Sequence, residues 1–190
     1  MTTLVTGGAG FVGSNLAHRL MAGGERVRVV DDLSRPGVER NLAWLETAHR
    51  GLLEVRVCDV RDPEAMLEAV RGVEHVFHFA AQVAVTTSLS EPRLDFDVNA
   101  AGTVNVLEAI RAQPRPPAIV FTSTNKVYGA LADVPLRLRG TRYEPEAPEL
   151  AAHGVPESRP LSFHSPYGCS KGTVLPRSER DGRAAVQWRR

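Results

Sequence analysis

Short apolar runs alternate with longer amphipathic stretches along the first 122 residues of the chain. The short runs are rich in β-branched residues and predict strands at residues 3–6 and 26–30 and in the segments LLEVRVCDV, EHVFHFA and AIVFTS. Strands that alternate with helices favour a parallel sheet covered on both faces. Right-handed crossovers then give a doubly wound α/β fold.

Three of the longer stretches predict helices. Asp62 is an expected N-cap, with Pro63 at the first helical position. Two others carry apolar residues at helical spacing. In the first, which Gly23 and Gly24 end, these residues are Phe11, Leu16, Ala17 and Leu20. In the second, a continuous helix over residues 94–110, they are Leu94, Val98, Ala101, Val104 and Leu107.

Two segments lack any such periodicity. Residues 129–165 are rich in proline and predict a long loop, which in a compact domain is usually functional or mobile. Residues 173–190 carry five arginines and no apolar stripe. Pro176 stands where a helix would continue, and proline costs about 3 kcal/mol in a helix interior. We therefore expect an interpretable domain over residues 1–172 and an unrelated arginine-rich tail.

Composition narrows the class of protein. The 190 residues are 43% hydrophobic and 24% charged, which is typical of one globular domain with a core. A net charge of +1 gives no electrostatic case for nucleic acid or a membrane surface. No apolar run has membrane-spanning length and no signal peptide opens the chain, so a cytoplasmic location is expected. The six histidines and two cysteines have no ligand spacing, and no metal site is expected.

A glycine-rich loop follows the first predicted strand. TLVTGGAGFVGSNL spaces Gly7, Gly10 and Gly13 three residues apart, directly before the first helix, which opens with Phe11 and Val12. Such a loop brings backbone and the helix N-terminus close to a pyrophosphate, although glycine triplets also occur as simple turns. The strand before it, the helix after it and an acidic residue about 20 positions on favour a dinucleotide site.

Acidic residues close the next two strands. Asp31 and Asp32 end the second strand, where the carboxylate of Asp31 can accept hydrogen bonds from both ribose hydroxyls of a dinucleotide. It would repel a 2′-phosphate, so NAD is favoured over NADP. Arg35 is close in the sequence, and its positive charge would favour NADP instead. Asp59 ends the third strand, and two roles remain open for it: a contact with the adenine, or a helix cap or turn residue.

Candidate catalytic residues lie later in the chain. Tyr167 and Lys171 are four residues apart, which places them on one face of a helix. A nearby lysine makes the phenolate form of tyrosine more available as a base near neutral pH. Ser123 and Thr124 end the AIVFTS strand, where a hydroxyl can bond the reacting oxygen or simply satisfy its own backbone.

With these motifs, residues 1–172 resemble the extended short-chain dehydrogenase/reductases that epimerise or dehydrate nucleotide sugars. AAQVAVTTS, STNKVYG and SFHSPYGCSKG, with TRYEPE and HGVPESRPL in the predicted loop, are most similar to members that epimerise a CDP-sugar at C2. The resemblance implies a Rossmann-type NAD-binding domain and a nucleotide-sugar substrate. The stripe over residues 94–110 fits a homo-oligomer interface, as in similar enzymes, and fits core burial equally well.

The resemblance also implies a role for individual residues. The pyrophosphate would lie on the glycine loop, Asp31 would hold the ribose, and Asp59 and Val60 would contact the adenine. Phe79, Ala80 and Ala81 would line the cofactor path, with Asn99 supporting it. Thr124, Tyr167 and Lys171 would form the catalytic set.

Two departures from the family pattern shape the expectations further. Asn125 and Lys126 stand where the dehydratases of the family have an acidic pair, so elimination of water lacks its acid and base. The family's helix continues past Gly172, and its sugar-binding lobe follows. We therefore expect a truncated or frame-shifted epimerase with little or no activity; the alternatives are an inactive NAD-binding fragment and another nucleotide-sugar epimerase or dehydratase.

Overall fold

A computed structural model describes residues 1–174 of the chain. Its main sheet consists of five parallel strands: β1 (Thr2–Thr6), β2 (Arg26–Asp31), β3 (Leu53–Val57), β4 (His75–His78) and β5 (Ala118–Phe121). Their order across the sheet is β3-β2-β1-β4-β5. The chain thus builds one half of the sheet outward from β1 and then crosses back to build the other. The doubly wound α/β fold predicted from the sequence is confirmed.

Within residues 1–174, eight α-helices connect or flank the strands. They are α1 (Phe11–Ala22), α2 (Val38–Ala48), α3 (Pro63–Val70), α4 (Val85–Ser90), α5 (Pro92–Phe96), α6 (Gly102–Arg111), α7 (Pro148–His153) and α8 (Pro166–Thr173). Asp62 caps α3 as expected, because its side chain accepts hydrogen bonds from the backbone N–H groups of Glu64 and Ala65. No helix within residues 1–174 is long and apolar enough to cross a membrane.

The sheet is covered on both faces, since successive strand residues point to opposite sides. Leu4 and Val30 belong to a core cluster that includes residues of α3 and α6. Val5 and Val29 belong to the opposite cluster, which includes residues of α1 and α2. Phe11 lies outside both clusters and is 82% exposed, so the predicted apolar face of α1 is wrong at its first residue.

The chain is helical over the predicted range of residues 94–110, but the helix contains an irregular turn. Between α5 and α6 the backbone makes a π-helical turn, Asp97–Ala101. Its wider turn rotates the residues that follow, and beyond it the predicted apolar stripe is confirmed at Leu107, which is buried, and wrong at Val104. Val104, expected in that stripe, is 44% exposed, whereas Val106 and Ile110 are buried.

The proline-rich segment of residues 129–165 contains more regular structure than its sequence suggested. Two antiparallel strands, β6 (Leu136–Arg139) and β7 (Arg142–Pro145), form a hairpin, and α7 follows. Gly140 opens the two-residue turn with φ +63°, a backbone conformation that glycine adopts without strain. Of the predicted arginine-rich tail, residues 175–190 lie outside the described residues.

Candidate active site

The predicted site residues gather at the carboxyl edge of the sheet, where the strand order reverses. Gly7 follows β1, and Phe79 and Ala80 follow β4, the neighbouring strand across the reversal. The two loops touch, because a Cβ built on Gly7 would lie 2.7 Å from the backbone N of Ala80. Open α/β sheets bind their ligands in the crevice at such a reversal.

The glycine loop leaves the start of α1 open. Gly7 adopts φ +66°, and a Cβ on Gly13 would lie 2.2 Å from the carbonyl oxygen of Gly7, so both positions require glycine. Gly10 is the N-cap of α1, and no side chain within residues 1–174 caps the helix there. Phe11 and Val12 are exposed in the first turn. Backbone N–H groups at an uncapped helix start are suited to bind an anion.

Asp31 reaches from the end of β2 to the glycine loop. Its Oδ2 accepts a hydrogen bond from the backbone N–H of Ala9 at 3.0 Å, and its Oδ1 accepts one from Leu33 at 3.0 Å. Burial raises the pKa of Asp31, while these N–H bonds act in the opposite direction. Asp32 instead accepts bonds from the amide and hydroxyl of Ser34 at the surface. Only Asp31 of the acidic pair is joined to the loop.

Asp59 and Val60 follow β3 at the same edge of the sheet. Asp59 forms a turn with Arg61, whose Nε donates to Oδ2 at 2.8 Å and whose backbone N–H donates to Oδ1 at 2.8 Å. These hydrogen bonds hold the pKa of Asp59 below its usual range. Val60 is buried against Gly102, where an added Cβ would lie 2.7 Å from Cγ2 of Val60. Asp59 therefore presents an ionised carboxylate beside an apolar wall.

The helix α8 carries the Tyr-Lys pair with both side chains turned inward. Tyr167 is 8% exposed and Lys171 is 3% exposed, whereas Cys169 between them is exposed. The hydroxyl of Ser165 caps the helix by accepting from the N–H of Gly168 at 3.1 Å. Buried Ser88 of α4 accepts a hydrogen bond from the N–H of Tyr167 at 3.2 Å. The cap and this bond fix the start of α8.

Thr124 lies on an element that touches α8. Its Oγ1 accepts a hydrogen bond from the N–H of Lys126 at 3.3 Å and caps a short 3₁₀ turn after β5. This turn packs closely on the helix, because a Cβ on Gly168 would lie 2.7 Å from the carbonyl oxygen of Lys126. Nζ of Lys171 lies 4.5 Å from the ring centroid of Phe121, the last residue of β5. The structure thus brings the three predicted catalytic residues to adjoining elements at the end of β5.

The ammonium group of Lys171 is in a largely desolvated setting. Burial lowers the pKa of Lys171 to about 8, and the negative charge of Asp95 acts in the opposite direction. The Phe121 ring adds a favourable cation–π contact. Lys171 is consequently a poorly solvated cation next to Tyr167, on the face of α8 turned towards the sheet.

A chain of buried hydrogen bonds runs beneath the site. The backbone N–H of Ala80 donates to Oγ1 of Thr6, which lies 2.6 Å from Nδ1 of His78. On the other side of the ring, Nε2 lies 3.0 Å from Oγ1 of Thr103, which donates to the carbonyl oxygen of Asn99. Because the Thr103 hydroxyl proton is used in this bond, Thr103 accepts from His78, and the proton of neutral His78 is therefore on Nε2. Burial, with the Lys171 charge, lowers the pKa of His78 to about 3.

Asn99 connects this chain to the elements around α8. Its Oδ1 accepts from the N–H of Gln82 at 2.9 Å, and its Nδ2 donates to the carbonyl oxygen of Gln82 at 3.0 Å. Nδ2 also lies 3.2 Å from a carboxylate oxygen of Asp95 and 3.2 Å from Oγ of Ser170. Sequence reasoning identified Asn99 but missed its partners. The four-residue spacing of Asp95, Asn99 and Thr103 was the available signal.

Two histidines pair away from this edge of the sheet. Nε2 of His49, at the end of α2, lies 2.7 Å from Nδ1 of His18 on α1. Across residues 1–174, no three or more His, Cys, Asp or Glu side chains come together as a metal site requires.

Comparison with known proteins identifies the family. The sequence model of the GDP-mannose 4,6 dehydratase family matches residues 4–174, most of the chain. The chain belongs to this family. CDP-paratose 2-epimerase from Salmonella typhi is 42% identical over 177 residues, which cover 92% of this chain and 51% of that protein. UDP-glucose 4-epimerase from Mycolicibacterium smegmatis is 40% identical over 172 residues, covering 90% of this chain and 48% of that one.

Solved structures of proteins with similar sequences share the fold. The crystal structure of Thermus thermophilus UDP-glucose 4-epimerase in complex with NAD aligns with a TM-score of 0.69 and 33% identity, covering 91% of this chain and 48% of that chain. The chain therefore spans about half the length of the family members that it matches.

Proposed function

We propose that residues 1–174 are the NAD-binding domain of a nucleotide-sugar epimerase, and that its substrate is a CDP-sugar epimerised at C2, as the name of the Salmonella typhi relative states. One observation carries the proposal. The glycine loop and the buried Tyr167–Lys171 pair lie at the same edge of the sheet. Binding a nucleotide needs the loop alone, whereas an inward-facing tyrosine and lysine supply acid–base chemistry.

The residues present fit NAD. Above the loop there is open space, because a Cβ on Gly10 would meet only the carbonyl oxygen of Gly7, at 3.2 Å. The three loop glycines and the N–H groups of Phe11 and Val12 would hold the pyrophosphate. The other residues that would contact or support the cofactor are Asp31, Asp32, Asp59, Val60, Phe79, Ala80, Ala81, Asn99, Tyr167 and Lys171.

The cofactor would be NAD rather than NADP. The Asp31 carboxylate is tied to the glycine loop through Ala9, and this position supports the proposed contact with the hydroxyls of the adenosine ribose. A 2′-phosphate at that position would face a negative charge in a half-buried setting, where repulsion is weakly screened.

The chemistry assigned to the chain's own side chains is proton transfer. When bound, NAD would supply a hydride acceptor and donor, so that the sugar carbon could be oxidised and then reduced again without net oxidation. Tyr167 would remove the hydroxyl proton of the sugar and later restore it. Lys171, one helical turn away, would favour the phenolate by its positive charge. Thr124 would donate a hydrogen bond to the reacting oxygen.

Dehydration is disfavoured among the activities of the family. Asn125 and Lys126 follow Thr124 in the short turn and provide neither a carboxylic acid nor a carboxylate. A 4-epimerase acting on a UDP-sugar is the second candidate, because the Mycolicibacterium smegmatis relative is almost as similar in sequence.

The test is reduction of the bound cofactor by substrate. The chain saturated with NAD would be mixed with CDP-paratose, and separately with UDP-glucose, while the fluorescence of the reduced cofactor and the sugar products are followed. In line with the little or no activity expected of this chain, we expect at most a weak signal and a small amount of CDP-tyvelose, and these with CDP-paratose but not with UDP-glucose. Tyr167→Phe should still bind NAD but lower the rate at least about 100-fold. A response to UDP-glucose would favour the second candidate, and NAD binding without any reaction would favour a non-catalytic NAD-binding fragment.

A further inference from the structure

Asp95 of α5 is a fully buried carboxylate to which the proposed chemistry assigns no step. It accepts three hydrogen bonds, and all three donors are neutral side chains. Oγ of Ser170 lies 2.5 Å from Oδ2, while Nδ2 of Asn99 and Nε2 of Gln82 lie 3.2 and 3.3 Å from Oδ1. Such bonds stabilise the ionised form against the cost of burial. Ser170 is the residue directly before Lys171, so the carboxylate is anchored to the helix that carries the lysine.

Charge around Lys171 is unevenly distributed. Asp95 acts on it with a negative charge, and His78, from the sheet side, is held neutral between Thr6 and Thr103. Tyr167 shares its face of α8. The remaining charged or titratable groups on the elements packed against α8 and on α8 itself are Arg93, Asp97, Lys126, Tyr128 and Cys169. Arg93 and Asp97 pair with each other, and Lys126 is exposed. Of the groups named, Asp95 is therefore the one whose negative charge acts on Lys171.

We propose that Asp95 is a positioning residue for Lys171: a buried carboxylate, fixed by three donors, that keeps the neighbouring ammonium group charged at neutral pH. Without this negative charge, desolvation would act on Lys171 unopposed and the neutral amine would become populated. The lysine would then lose the positive charge through which it favours the phenolate of Tyr167. The importance of that charge for catalysis rests on the proposed function, whereas the electrostatic link between Asp95 and Lys171 does not.

The chain offers an unusually clean test, because its only lysines are Lys126 and Lys171. Protein labelled with ¹³C-lysine gives two Cε signals whose shifts report protonation as the pH is raised. We expect Lys171 to titrate near pH 8 in the unsubstituted chain, with exposed Lys126 as the reference in the same tube. In Asp95→Asn, which preserves the shape of the side chain, the proton affinity of Lys171 should fall by roughly tenfold or more.

Asp97→Asn is the matched control. It removes a carboxylate two residues away that pairs with Arg93, and it should leave the proton affinity of Lys171 within about twofold. A folded Asp95→Asn chain in which Lys171 titrates as in the unsubstituted chain would overturn the proposal. An equal fall in the proton affinity of Lys171 in Asp97→Asn would also overturn the proposal, because the loss of any nearby negative charge would then explain the effect of both substitutions.

A reciprocal variant serves if Asp95→Asn does not fold. In Lys171→Met the Asp95 carboxylate loses its counter-charge, so Asp95 should take up a proton at higher pH than in the unsubstituted chain. Burial already raises the pKa of Asp95, so the folded state holds this proton more strongly than the unfolded state, and in Lys171→Met the resulting loss of stability with rising pH should extend to higher pH than in the unsubstituted chain. Identical pH dependence in Lys171→Met and the unsubstituted chain would contradict the proposal.

The two proposals fail separately. The lysine titration requires no cofactor or sugar, so a chain that never binds NAD can still show the Asp95 effect. Conversely, a chain that binds NAD and epimerises its substrate, but in which Asp95→Asn leaves Lys171 unchanged, would keep the proposed function and remove the role of Asp95.

Discussion

Oγ1 of Thr6 lies 2.6 Å from Nδ1 of His78, which joins the last residue of β1 to the last residue of β4 at the reversal of strand order. The imidazole has no access to solvent, and its second nitrogen faces Thr103. Both ring nitrogens are therefore satisfied only in the neutral form, since a doubly protonated ring would need Thr6 to accept rather than donate. The edge of the sheet that carries the site depends on an uncharged histidine.

This predicts a loss of stability in acid. The pKa of His78 is about 3 in the folded chain against 6.5 for a free side chain, so below pH 6.5 the unfolded state takes up a proton that the folded state refuses. The free energy of unfolding should fall by on the order of 4 kcal/mol as the pH drops through this interval, which urea unfolding at several pH values would measure. Glutamine in His78→Gln keeps a hydrogen-bond donor and an acceptor but does not titrate. In this variant the part of the pH-dependent loss of stability that comes from His78 should disappear.

His75→Gln is the control for this experiment. His75 begins the same strand but is exposed, so its replacement should leave the pH dependence of stability unchanged. If His78→Gln and the unsubstituted chain lost stability equally between about pH 6.5 and 4, the conclusion that the buried imidazole of His78 stays neutral would be refuted.

The glycine loop predicts different outcomes for two neighbouring substitutions. In Gly13→Ala the new Cβ would lie 2.2 Å from the carbonyl oxygen of Gly7, so the loop or the start of α1 must shift. We expect a loss of about 3 kcal/mol or more in the free energy of unfolding. In Gly10→Ala the nearest atom is 3.2 Å away, so the fold should survive while NAD affinity falls. Equal stability of both variants in thermal unfolding would contradict this geometry.

The anchoring of α8 by Ser88 is open to a similar test. Its hydroxyl donates to the carbonyl oxygen of Val85 at 2.7 Å and accepts from the N–H of Tyr167 at 3.2 Å. Ser88→Ala leaves a buried N–H without its partner and should cost about 1–3 kcal/mol. Ser90→Ala, on the exposed side of α4, should change stability by less than about 0.5 kcal/mol. A cost for Ser90→Ala as large as that for Ser88→Ala would argue against the anchor.

Much of this fold was readable from residue patterns. The β-branched runs, the glycine loop and the Asp62–Pro63 helix start each depend on a short stretch of chain and an invariant physical reason. The five-stranded parallel sheet followed from their order. The position of Asp31 beside the glycine loop also follows from chain order, because adjacent parallel strands end at the same edge.

Other features depend on contacts between distant residues. After the π-helical turn at Asp97–Ala101 the buried face includes Val106 and the predicted Leu107 but not Val104, and constant helical spacing along the sequence does not reveal such a change of phase. Asp95 and Ser170 are separated by 75 positions in the chain. An acidic residue in an amphipathic helix is usually on the solvated face, and only the packing of α8 against α5 makes Asp95 an internal group.

The most direct test of the account is calorimetric titration of the chain with NAD and with NADP. We predict that NAD binds and that NADP binds at least about tenfold more weakly. Asp31→Asn should lower the affinity for NAD and reduce the difference in affinity between the two cofactors. Asp32→Asn, which alters the surface carboxylate beside it, should preserve the difference. Absence of NAD binding by the folded chain, or NADP binding as tight as that of NAD, would contradict the assignment of this edge of the sheet.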